Sequence, residues 1–252
     1  MLLKDRGVIL KHINTGEADK IVTILTHHHG KIKAIIRGCR KPKSRFVGVS
    51  EQFAVSELVL YKGNGDLYSV SQGEVEETFY NLREDLLRLS YGNYFAELAE
   101  IVSDEDVQSE KLFSGLVWAL HYLSNKKVGP GLVALTYLIK LMELSGYRPS
   151  LINCANCHED VVDSEVFSVQ MGGMLCKECS WADKKSKRLS VPGRLNMLQL
   201  LEMNMSSLAE AKIGTQEFKE MDAIIKEFAM IHLGRNPKSA TFLESMKKDY
   251  NI

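Results

Sequence analysis

The sequence predicts an α+β protein of more than one domain: a small β-barrel followed by an all-helical domain with an inserted four-cysteine hairpin. Up to about residue 80 apolar and polar residues alternate, which is typical of strands, and after it apolar residues recur every three or four positions, which is typical of helices. Four of the five cysteines form two C-x2-C pairs between residues 154 and 179. We therefore expect a barrel domain over 1–80 and a helical domain over 81–252, with the cysteine module at about 150–190.

Five short runs rich in β-branched residues predict the strands of the barrel. They lie at 7–12, 20–26, 31–37, 53–61 and 67–71. The last two are joined by a hairpin at 62–66, where Asn64-Gly65 supplies the positive φ that such a turn requires. Five strands in under eighty residues are the inventory of a small barrel, and five-stranded Greek-key barrels include the OB-fold.

Segments with apolar residues at helical spacing follow the strands. The predicted helices cover about 82–101, 113–123, 130–142, 192–203 and 218–233. Pro130 and Pro192 stand near first turns, where the missing N–H of proline is harmless. Gly146 and Gly234 stand where helices end.

The composition, 45% apolar and 25% charged, is ordinary for a soluble globular protein. Lys4, Asp5 and Arg6 lie where a signal peptide would need its apolar core. The longest apolar stretch, 131–139, is far too short to cross a bilayer. We expect a cytoplasmic protein with reduced thiols, which favours metal ligation over disulfides.

The net charge is zero, but its distribution is uneven. Residues 1–50 hold eleven Lys or Arg against three acids, a net charge of +8. Seven of these cations fall in residues 31–45, the basic segment, which contains no acid: Lys31, Lys33, Arg37, Arg40, Lys41, Lys43 and Arg45. Cations at this density neutralise phosphates and release counterions, so we predict a face that binds a polyanion.

Four aromatic residues lie near the basic segment: Phe46, Phe53, Tyr61 and Tyr68. Exposed aromatic rings there would offer stacking platforms for unpaired bases. Aromatic residues of small barrels more often fill the core, so we expect core positions for most of these four.

The metal-site prediction rests on four residues: Cys154, Cys157, Cys176 and Cys179. Two C-x2-C pairs separated by eighteen residues provide a tetrahedral ligand set for one metal ion, most plausibly zinc. The residues between the pairs are enough to run out, turn at Gly172-Gly173 and return. Four thiolates close the coordination shell and make the metal a poor Lewis acid, so we predict a structural zinc ion. His158 could replace a cysteine, although nothing requires it.

Three further features have no settled role in the sequence. The second basic cluster, Lys184 to Arg188, either lies beside the negatively charged zinc–thiolate centre or extends the polyanion-binding face. His27-His28-His29 suggests a metal site, but successive side chains of a strand point to opposite faces, so a polar turn is favoured. Cys39 stands among cations and is expected to be an exposed bystander. No sequence motif of a catalytic site stands out.

Several stretches of the sequence resemble the RecO family of bacterial DNA repair proteins. Near the start these are GVIL at 7–10, GEADKIVTILT at 16–26, HGK at 29–31 and RGCRKPKSR at 37–45. LGRNPKS at 233–239 and Phe242-Leu243 are similar to the family's ending, and the cysteines follow Gly146-Tyr-Arg-Pro149, where many members carry a zinc module.

The resemblance implies an N-terminal OB-fold, a helical domain with an inserted zinc-binding hairpin, and a recombination mediator without catalytic turnover in the bacterial nucleoid. Such proteins bind single- and double-stranded DNA and anneal complementary strands. With RecR, and in some bacteria RecF, they load RecA onto strands coated by single-stranded DNA-binding protein. By the same resemblance the seven cations of the basic segment are the DNA-binding residues.

Two other functions fit parts of the sequence. A zinc-dependent hydrolase or nuclease would use the basic segment to hold its substrate, and it needs a water-ligated metal. A zinc-ribbon adaptor would bind only protein, with the basic segment contacting an acidic partner.

Overall fold

Five strands open the chain in the computed structural model, which describes residues 2–63, 65–105, 107 and 110–249. They are β1 (Leu2–Thr15), β2 (Asp19–Thr26), β3 (Lys31–Ile36), β4 (Val55–Lys62) and β5 (Tyr68–Glu77). They form a closed barrel in the order β1-β2-β3-β5-β4, in which only the β3–β5 pair is parallel. All five predicted strands are present, and the predicted turn residue Asn64 lies outside the described residues.

The barrel core follows from the period-two pattern of its strands. In β3, Ile32, Ala34 and Ile36 are buried, whereas the residues between them face outward. Side chains of the other four strands complete the same cluster, among them Val22 and Leu58, which have no exposed surface. Because burying one such aliphatic side chain contributes about 1.5–3 kcal/mol, this cluster holds the barrel together.

Helices make up most of the remaining chain. They are α1 (Leu86–Val102), α2 (Glu110–Asn125), α3 (Pro130–Leu144), α4 (Val191–Glu202), α5 (Thr215–Leu233) and α6 (Lys238–Asp249). The first five confirm the predicted helices, and Gly234 ends α5 in the left-handed conformation with φ of 64°. None of the described helices is both long and apolar enough to cross a membrane.

The last helix, α6, was not predicted because its sequence is mostly polar and only Leu243 is buried. It packs against α1. The carboxylate of Glu97, in α1, accepts hydrogen bonds from the backbone N–H groups of Lys238 (2.9 Å) and Ser239 (2.8 Å). A side chain from another helix thus caps the first turn of α6.

Contacts divide the chain into two units. Residues 1–126 and 237–252 form the barrel unit, and residues 127–236 form the cysteine unit. The barrel unit therefore contains α1, α2 and α6 as well as the strands. The domain boundary near residue 80 stays a prediction, because these units divide the chain elsewhere.

The cysteine unit combines α3, α4 and α5 with a small sheet. Its strands β6 (Val166–Ser168), β7 (Gly173–Leu175) and β8 (Lys187–Arg188) lie in the order β7-β6-β8. The β6–β7 connection turns at Gly172, with φ of 81°, where the sequence predicts a turn. Phe167 of β6 and Phe228 of α5, both fully buried, meet edge to face at 6.3 Å and join the sheet to the helices.

Candidate nucleic-acid interface and metal centre

The basic segment consists of strand β3 and the loop that follows it. Because β3 buries Ile32, Ala34 and Ile36, the side chains of Lys31 and Lys33 are on the outer face of the barrel. Both are partly engaged there: Lys31 Nζ donates to the backbone oxygen of Glu100 (2.8 Å), and Lys33 Nζ lies 3.9 Å from Glu105. An exposed ion pair of that length contributes at most about 1 kcal/mol, so it leaves Lys33 available to another anion.

Two arginines of the loop lie along β5. Arg37 donates to Ser69 Oγ (3.3 Å), and Arg45 donates to the backbone oxygen of Ser71 (3.1 Å). The Arg45 guanidinium also lies 4.8 Å from the centre of the Phe46 ring. Neutral oxygens and an aromatic ring orient these guanidinium groups without cancelling their charge.

Arg40, Lys41 and Lys43 are exposed, and none forms an ion pair in the part of the chain that the structure describes. The backbone beneath them is fixed. Gly38 N–H donates to Asp19 Oδ1 (2.7 Å), and Arg40 N–H donates to the backbone oxygen of Ala18 (2.9 Å). The backbone at the start of the loop is therefore anchored, and the loop exposes three cations that form no ion pair with a described residue.

Cys39, between Gly38 and Arg40, is buried in the barrel core with 2% of its surface exposed. The expectation that it is an exposed bystander is wrong. The hydrogen bonds of its two neighbours to the β1–β2 turn rotate its side chain inward, where Sγ lies 3.8 Å from the backbone oxygen of Ala18.

The aromatic residues near the basic segment are mainly core residues, as expected. Phe53 and Tyr68 are buried, and Phe46 packs against the core from its edge. Tyr61 alone among the four is more than half exposed, at 52%. Beside Tyr68, a cleft of about 100 Å³ is bordered by three lysines and two acids, so charges of both signs and one aromatic edge share this side of the barrel; the charged residues are Lys31, Lys33, Lys62, Asp66 and Glu105.

The four predicted cysteine ligands lie close together in the cysteine unit, and the Sγ atom of each is within 4.8 Å of the other three. Cys157 Sγ and Cys176 Sγ are 3.7 Å apart. Zinc–sulfur bonds of about 2.3 Å in a tetrahedron place neighbouring sulfurs about 3.8 Å apart. The spacing and the all-sulfur donor set therefore fit one tetrahedral metal ion.

Both cysteine pairs lie in tight turns. Cys154 N–H donates to the backbone oxygen of Glu159 (2.8 Å), and His158 N–H donates to that of Cys154 (3.0 Å). His158 takes a left-handed φ of 66°, which lets the chain reverse after Cys157. In the second pair, Cys179 N–H donates to the backbone oxygen of Cys176 (3.1 Å). These turns aim four sulfurs inward.

Donors around the sulfurs favour thiolates at particular positions. Burial opposes ionisation of Cys154, but N–H donors, including those of Asn156 and Cys176, outweigh it and lower the pKa of Cys154 to about 6. Burial and the neighbouring cysteines raise the pKa of Cys176 to about 12. Asn156 Nδ2 also donates to Cys179 Sγ (3.3 Å). The sequence did not single out Asn156, although it is the polar one of the two residues between Cys154 and Cys157.

The second basic cluster has two different parts. Lys187 pairs with Glu227 (3.0 Å), and Arg188 pairs with Glu165 (2.8 Å) and Glu220 (3.3 Å). Lys184 and Lys185 are exposed and form no ion pair with a described residue. Lys187 and Arg188 therefore form ion pairs within the cysteine unit, whereas Lys184 and Lys185 stay exposed to solvent.

The three histidines lie in the turn after β2, around the buried carboxylate of Asp5. His28 Nδ1 lies 2.9 Å from Asp5 Oδ1, and His29 Nδ1 lies 2.7 Å from Asp5 Oδ2. One ligand atom each from Asp5, His27 and His28 falls within 4.8 Å of the others. Because the Asp5 carboxylate already accepts hydrogen bonds from the rings of His28 and His29, this geometry fits the expected polar turn. Sequence analysis missed Asp5.

Comparison with known proteins covers almost the whole chain. The family model described as Recombination protein O N terminal matches residues 1–79, and the one described as Recombination protein O C terminal matches residues 83–241. The chain is also similar to proteins named DNA repair protein RecO. That of Alkaliphilus metalliredigens is 35% identical over 93% of this chain and 95% of its own length. That of Acetivibrio thermocellus is 30% identical over 98% of both chains, and that of Symbiobacterium thermophilum is 30% identical over 96% of both.

Proposed function

We propose that this chain, which belongs to the RecO family of DNA repair proteins, is a recombination mediator without catalytic turnover. In this proposal it binds single- and double-stranded DNA, anneals complementary strands and acts with RecR to load RecA onto strands coated by single-stranded DNA-binding protein. RecF is a further partner, and the site of action is the bacterial nucleoid in the cytoplasm.

One observation carries the DNA-binding part of this proposal. Six cations of the basic segment have no carboxylate partner among the described residues: Lys31, whose Nζ donates to a backbone oxygen, and Arg37, Arg40, Lys41, Lys43 and Arg45. Uncompensated cations held on one anchored loop attract a polyanion over a distance of about 10 Å at ordinary salt. Phosphodiester backbones are the polyanions that a DNA repair protein meets.

The barrel supports an OB-fold assignment. Five strands in the order β1-β2-β3-β5-β4, with a parallel β3–β5 pair, close the barrel. OB-folds bind oligonucleotides on the face of their second and third strands, and Lys31 and Lys33 lie on the outer side of β3. The strand and the loop together make one candidate surface for the DNA backbone.

Annealing follows from the same charges. Two complementary strands repel each other through their phosphates, and a cationic surface lowers that repulsion. Since phosphate contacts carry no sequence information, such a surface accepts any strand and leaves the choice of partner to base pairing.

The cysteine cluster is proposed to hold one zinc ion through Cys154, Cys157, Cys176 and Cys179. When bound, zinc would neutralise thiolate charge and join the two cysteine turns, which contributes folding free energy. The four sulfurs fill a tetrahedral shell, so the site offers no position for a water nucleophile. This donor set favours the mediator over the hydrolase alternative.

The first prediction tests the basic segment. Each phosphate contact on a single strand contributes about 0.7 to the slope of log K against log salt, so the Arg37→Ala, Arg40→Ala, Lys41→Ala triple variant should lower the slope by about 2. A salt series of binding isotherms with a fluorescent oligonucleotide measures this. Strand annealing, followed by energy transfer between labelled complements, should slow in parallel.

The matched control replaces three other exposed cations, Lys111, Lys212 and Lys219, by Ala. None of these forms an ion pair with a described residue, and the change in net charge is the same. Equal losses in the two triple variants would show that only total charge matters and would refute the assignment to the basic segment. Circular dichroism and metal content should match the wild type in both.

A further inference from the structure

Trp181 is the most exposed large hydrophobic side chain in the described part of the chain, with 74% of its surface in solvent. Its ring makes no aromatic, cation–π or hydrogen-bonding contact with any described residue. Tryptophan is highly buried on average, and exposed tryptophan side chains are enriched at binding interfaces. The mediator assignment based on the basic segment leaves this residue without a role.

The backbone that carries Trp181 is fixed on both sides. It lies in a 3-10 helix, Lys177–Ala182, which also carries Cys179. Ser180 Oγ donates to the backbone oxygen of Lys177 (2.9 Å). On the other side, the Asp183 carboxylate accepts hydrogen bonds from Ser168 Oγ (2.6 Å) and Lys185 N–H (2.8 Å). An indole displayed in this way loses little conformational entropy when it binds.

Several lysines lie close to Trp181 in the sequence. Lys177, Lys184 and Lys185 are exposed and form no ion pair with a described residue. Of the two acids in this stretch, Asp183 keeps its negative charge, because its hydrogen-bond donors are neutral, and it attracts Lys185. The other acid, Glu178, adjoins Lys177. Because Lys187 and Arg188 pair with glutamates outside this stretch, the charges left near the ring along the chain are Lys177, Lys184 and Lys185 against Glu178 and Asp183, a net charge of +1.

We propose that Trp181, Lys184 and Lys185 form a binding site for an unpaired nucleotide of single-stranded nucleic acid. The indole would stack on a base, and the two ammonium groups would neutralise neighbouring phosphates. A flat, exposed ring followed closely in the chain by two exposed lysines that form no ion pair with a described residue matches both halves of a nucleotide, whereas an apolar peptide would leave the lysines unused. Stacking on any base makes the site indifferent to sequence. The inference rests on the proposed function, namely that the chain binds DNA.

Tryptophan fluorescence tests the stacking directly because the chain has two tryptophans. Trp118→Phe leaves Trp181 as the reporter, and Trp181→Phe leaves Trp118 as its control. Titration with oligothymidine should quench emission in the Trp118→Phe protein and change it little in the Trp181→Phe protein.

Affinity measurements separate the ring from the charges. Trp181→Ala should weaken oligothymidine binding by roughly 5- to 150-fold, which corresponds to about 1–3 kcal/mol for one stacked base. Trp181→Phe should recover part of this loss because a phenyl ring still stacks. Lys184→Gln with Lys185→Gln should lower the salt slope by about 1.4, from two phosphate contacts. The control pair Lys212→Gln and Lys219→Gln should leave it unchanged.

The outcomes distinguish this inference from the function on which it rests. If the wild-type protein does not bind oligothymidine at low salt, the proposed function itself fails. If it binds, but Trp181 emission stays constant and Trp181→Ala binds like the wild type, the nucleotide site alone is refuted. Quenching by polyglutamate as strong as that by oligothymidine at equal charge would also refute it, because a general polyanion surface would then explain the signal without stacking.

Discussion

At the scale of single residues, Asp5 holds one end of the barrel together. Its side chain is 1% exposed, and its carboxylate accepts hydrogen bonds from the backbone N–H groups of Arg6 (2.8 Å) and His28 (3.0 Å). The rings of His28 and His29 provide two more. Burial alone would oppose its ionisation, but the hydrogen bonds from His29 and His28 outweigh burial and hold the pKa of Asp5 below its ordinary value. The three-histidine turn is therefore organised by a buried anion.

The second prediction concerns Asp5→Asn. The folded-state pKa lies below the unfolded value of about 3.9, so the carboxylate contributes stability above that pH and loses it as pH falls through the folded value. At about pH 7 the variant should lose about 1.5–3 kcal/mol of unfolding free energy, as for hydrogen bonds to a charged group. Urea denaturation at about pH 7 and about pH 3 should show the difference from the wild type shrinking in acid.

Asp66→Asn is the control for that series, because Asp66 is exposed in the same unit and forms no ion pair with a described residue. It should change the unfolding free energy by less than about 0.5 kcal/mol at either pH. A wild-type-like Asp5→Asn protein at neutral pH would mean that the buried carboxylate contributes no net stability.

At the scale of elements, α6 depends on a partner that is far away in the sequence. Glu97 caps its N-terminus from α1, and Ser239 Oγ adds a third donor to the same carboxylate (2.5 Å). Burial opposes ionisation of Glu97, yet these hydrogen bonds prevail and lower its pKa. A negative group at a helix N-terminus also interacts favourably with the helix dipole. The cap therefore joins α6 to α1.

The third prediction is that Glu97→Gln loosens α6. The amide keeps one acceptor oxygen but loses the charge, so the protein should lose about 1 kcal/mol of unfolding free energy, within the range for a helix cap. Hydrogen exchange should accelerate in 238–249 before it changes in the barrel. Glu74→Gln, at an exposed position of β5, is the control. Equal exchange rates for α6 in the two variants would contradict the cap.

The contrast between α6 and the other helices shows what local sequence predicts. Helices α1 to α5 carry apolar residues at helical spacing, and several carry recognisable end signals, such as Pro130 and Gly234. These signals lie within the helix or next to its end, so the helix can be predicted from its local sequence. The cap of α6 comes from a residue 141 positions away, and no local pattern records such a contact.

The β6–β7 hairpin shows a close approach of two backbones. A Cβ atom on Gly173 would lie 2.6 Å from both Cβ and the backbone oxygen of Ser150. The Ser150 oxygen accepts the hydrogen bond of Met174 N–H (2.8 Å), so it cannot move without breaking that bond. A side chain at position 173 therefore requires the Ser150 segment to shift.

The fourth prediction follows from this contact. Gly173→Ala should reduce the unfolding free energy of the cysteine unit by about 1–3 kcal/mol through overpacking. Gly129→Ala is the matched control, since no atom lies within 4 Å of the added Cβ and its φ of −61° is ordinary. Thermal unfolding followed by circular dichroism compares the two. Similar midpoints would indicate that the Ser150 segment yields to the methyl group.

At the scale of the whole molecule, the sequence indicates which residues are charged but not which charges are already used. The run of cations from Lys31 to Arg45 is visible in the sequence. Lys31, however, donates to the backbone oxygen of Glu100, and Lys33 lies 3.9 Å from the Glu105 carboxylate, in each case about seventy residues further along the chain. Cys39 is hidden for a similar reason, because its burial follows from hydrogen bonds to the β1–β2 turn. Long-range contacts decided each of these outcomes.

The fifth prediction separates the two units with one cysteine from each. Cys176→Ser should abolish binding of the proposed zinc ion and lower the unfolding midpoint of the cysteine unit, while the proposed DNA binding through the basic segment falls little. Cys39→Ser should leave metal binding unchanged and instead destabilise the barrel by up to about 1–3 kcal/mol, because it puts a hydroxyl group into an apolar core where the Ala18 backbone oxygen is the acceptor nearby. Metal analysis, thermal unfolding and DNA-binding isotherms compare the two variants. Complete loss of DNA binding in a folded Cys176→Ser protein would contradict this division of roles.

The two-part composition of the barrel unit sets an order of events during synthesis. Residues 237–252 belong to it, but they leave the ribosome only after all of residues 127–236. A nascent chain can therefore assemble the cysteine unit while α1 still lacks the helix that packs against it. Until α6 arrives, the carboxylate of Glu97 and one side of α1 stay exposed to solvent and to other chains. The barrel unit therefore starts to form before the cysteine unit and is completed after it. A complete barrel unit requires that residues 127–236 have already been synthesised.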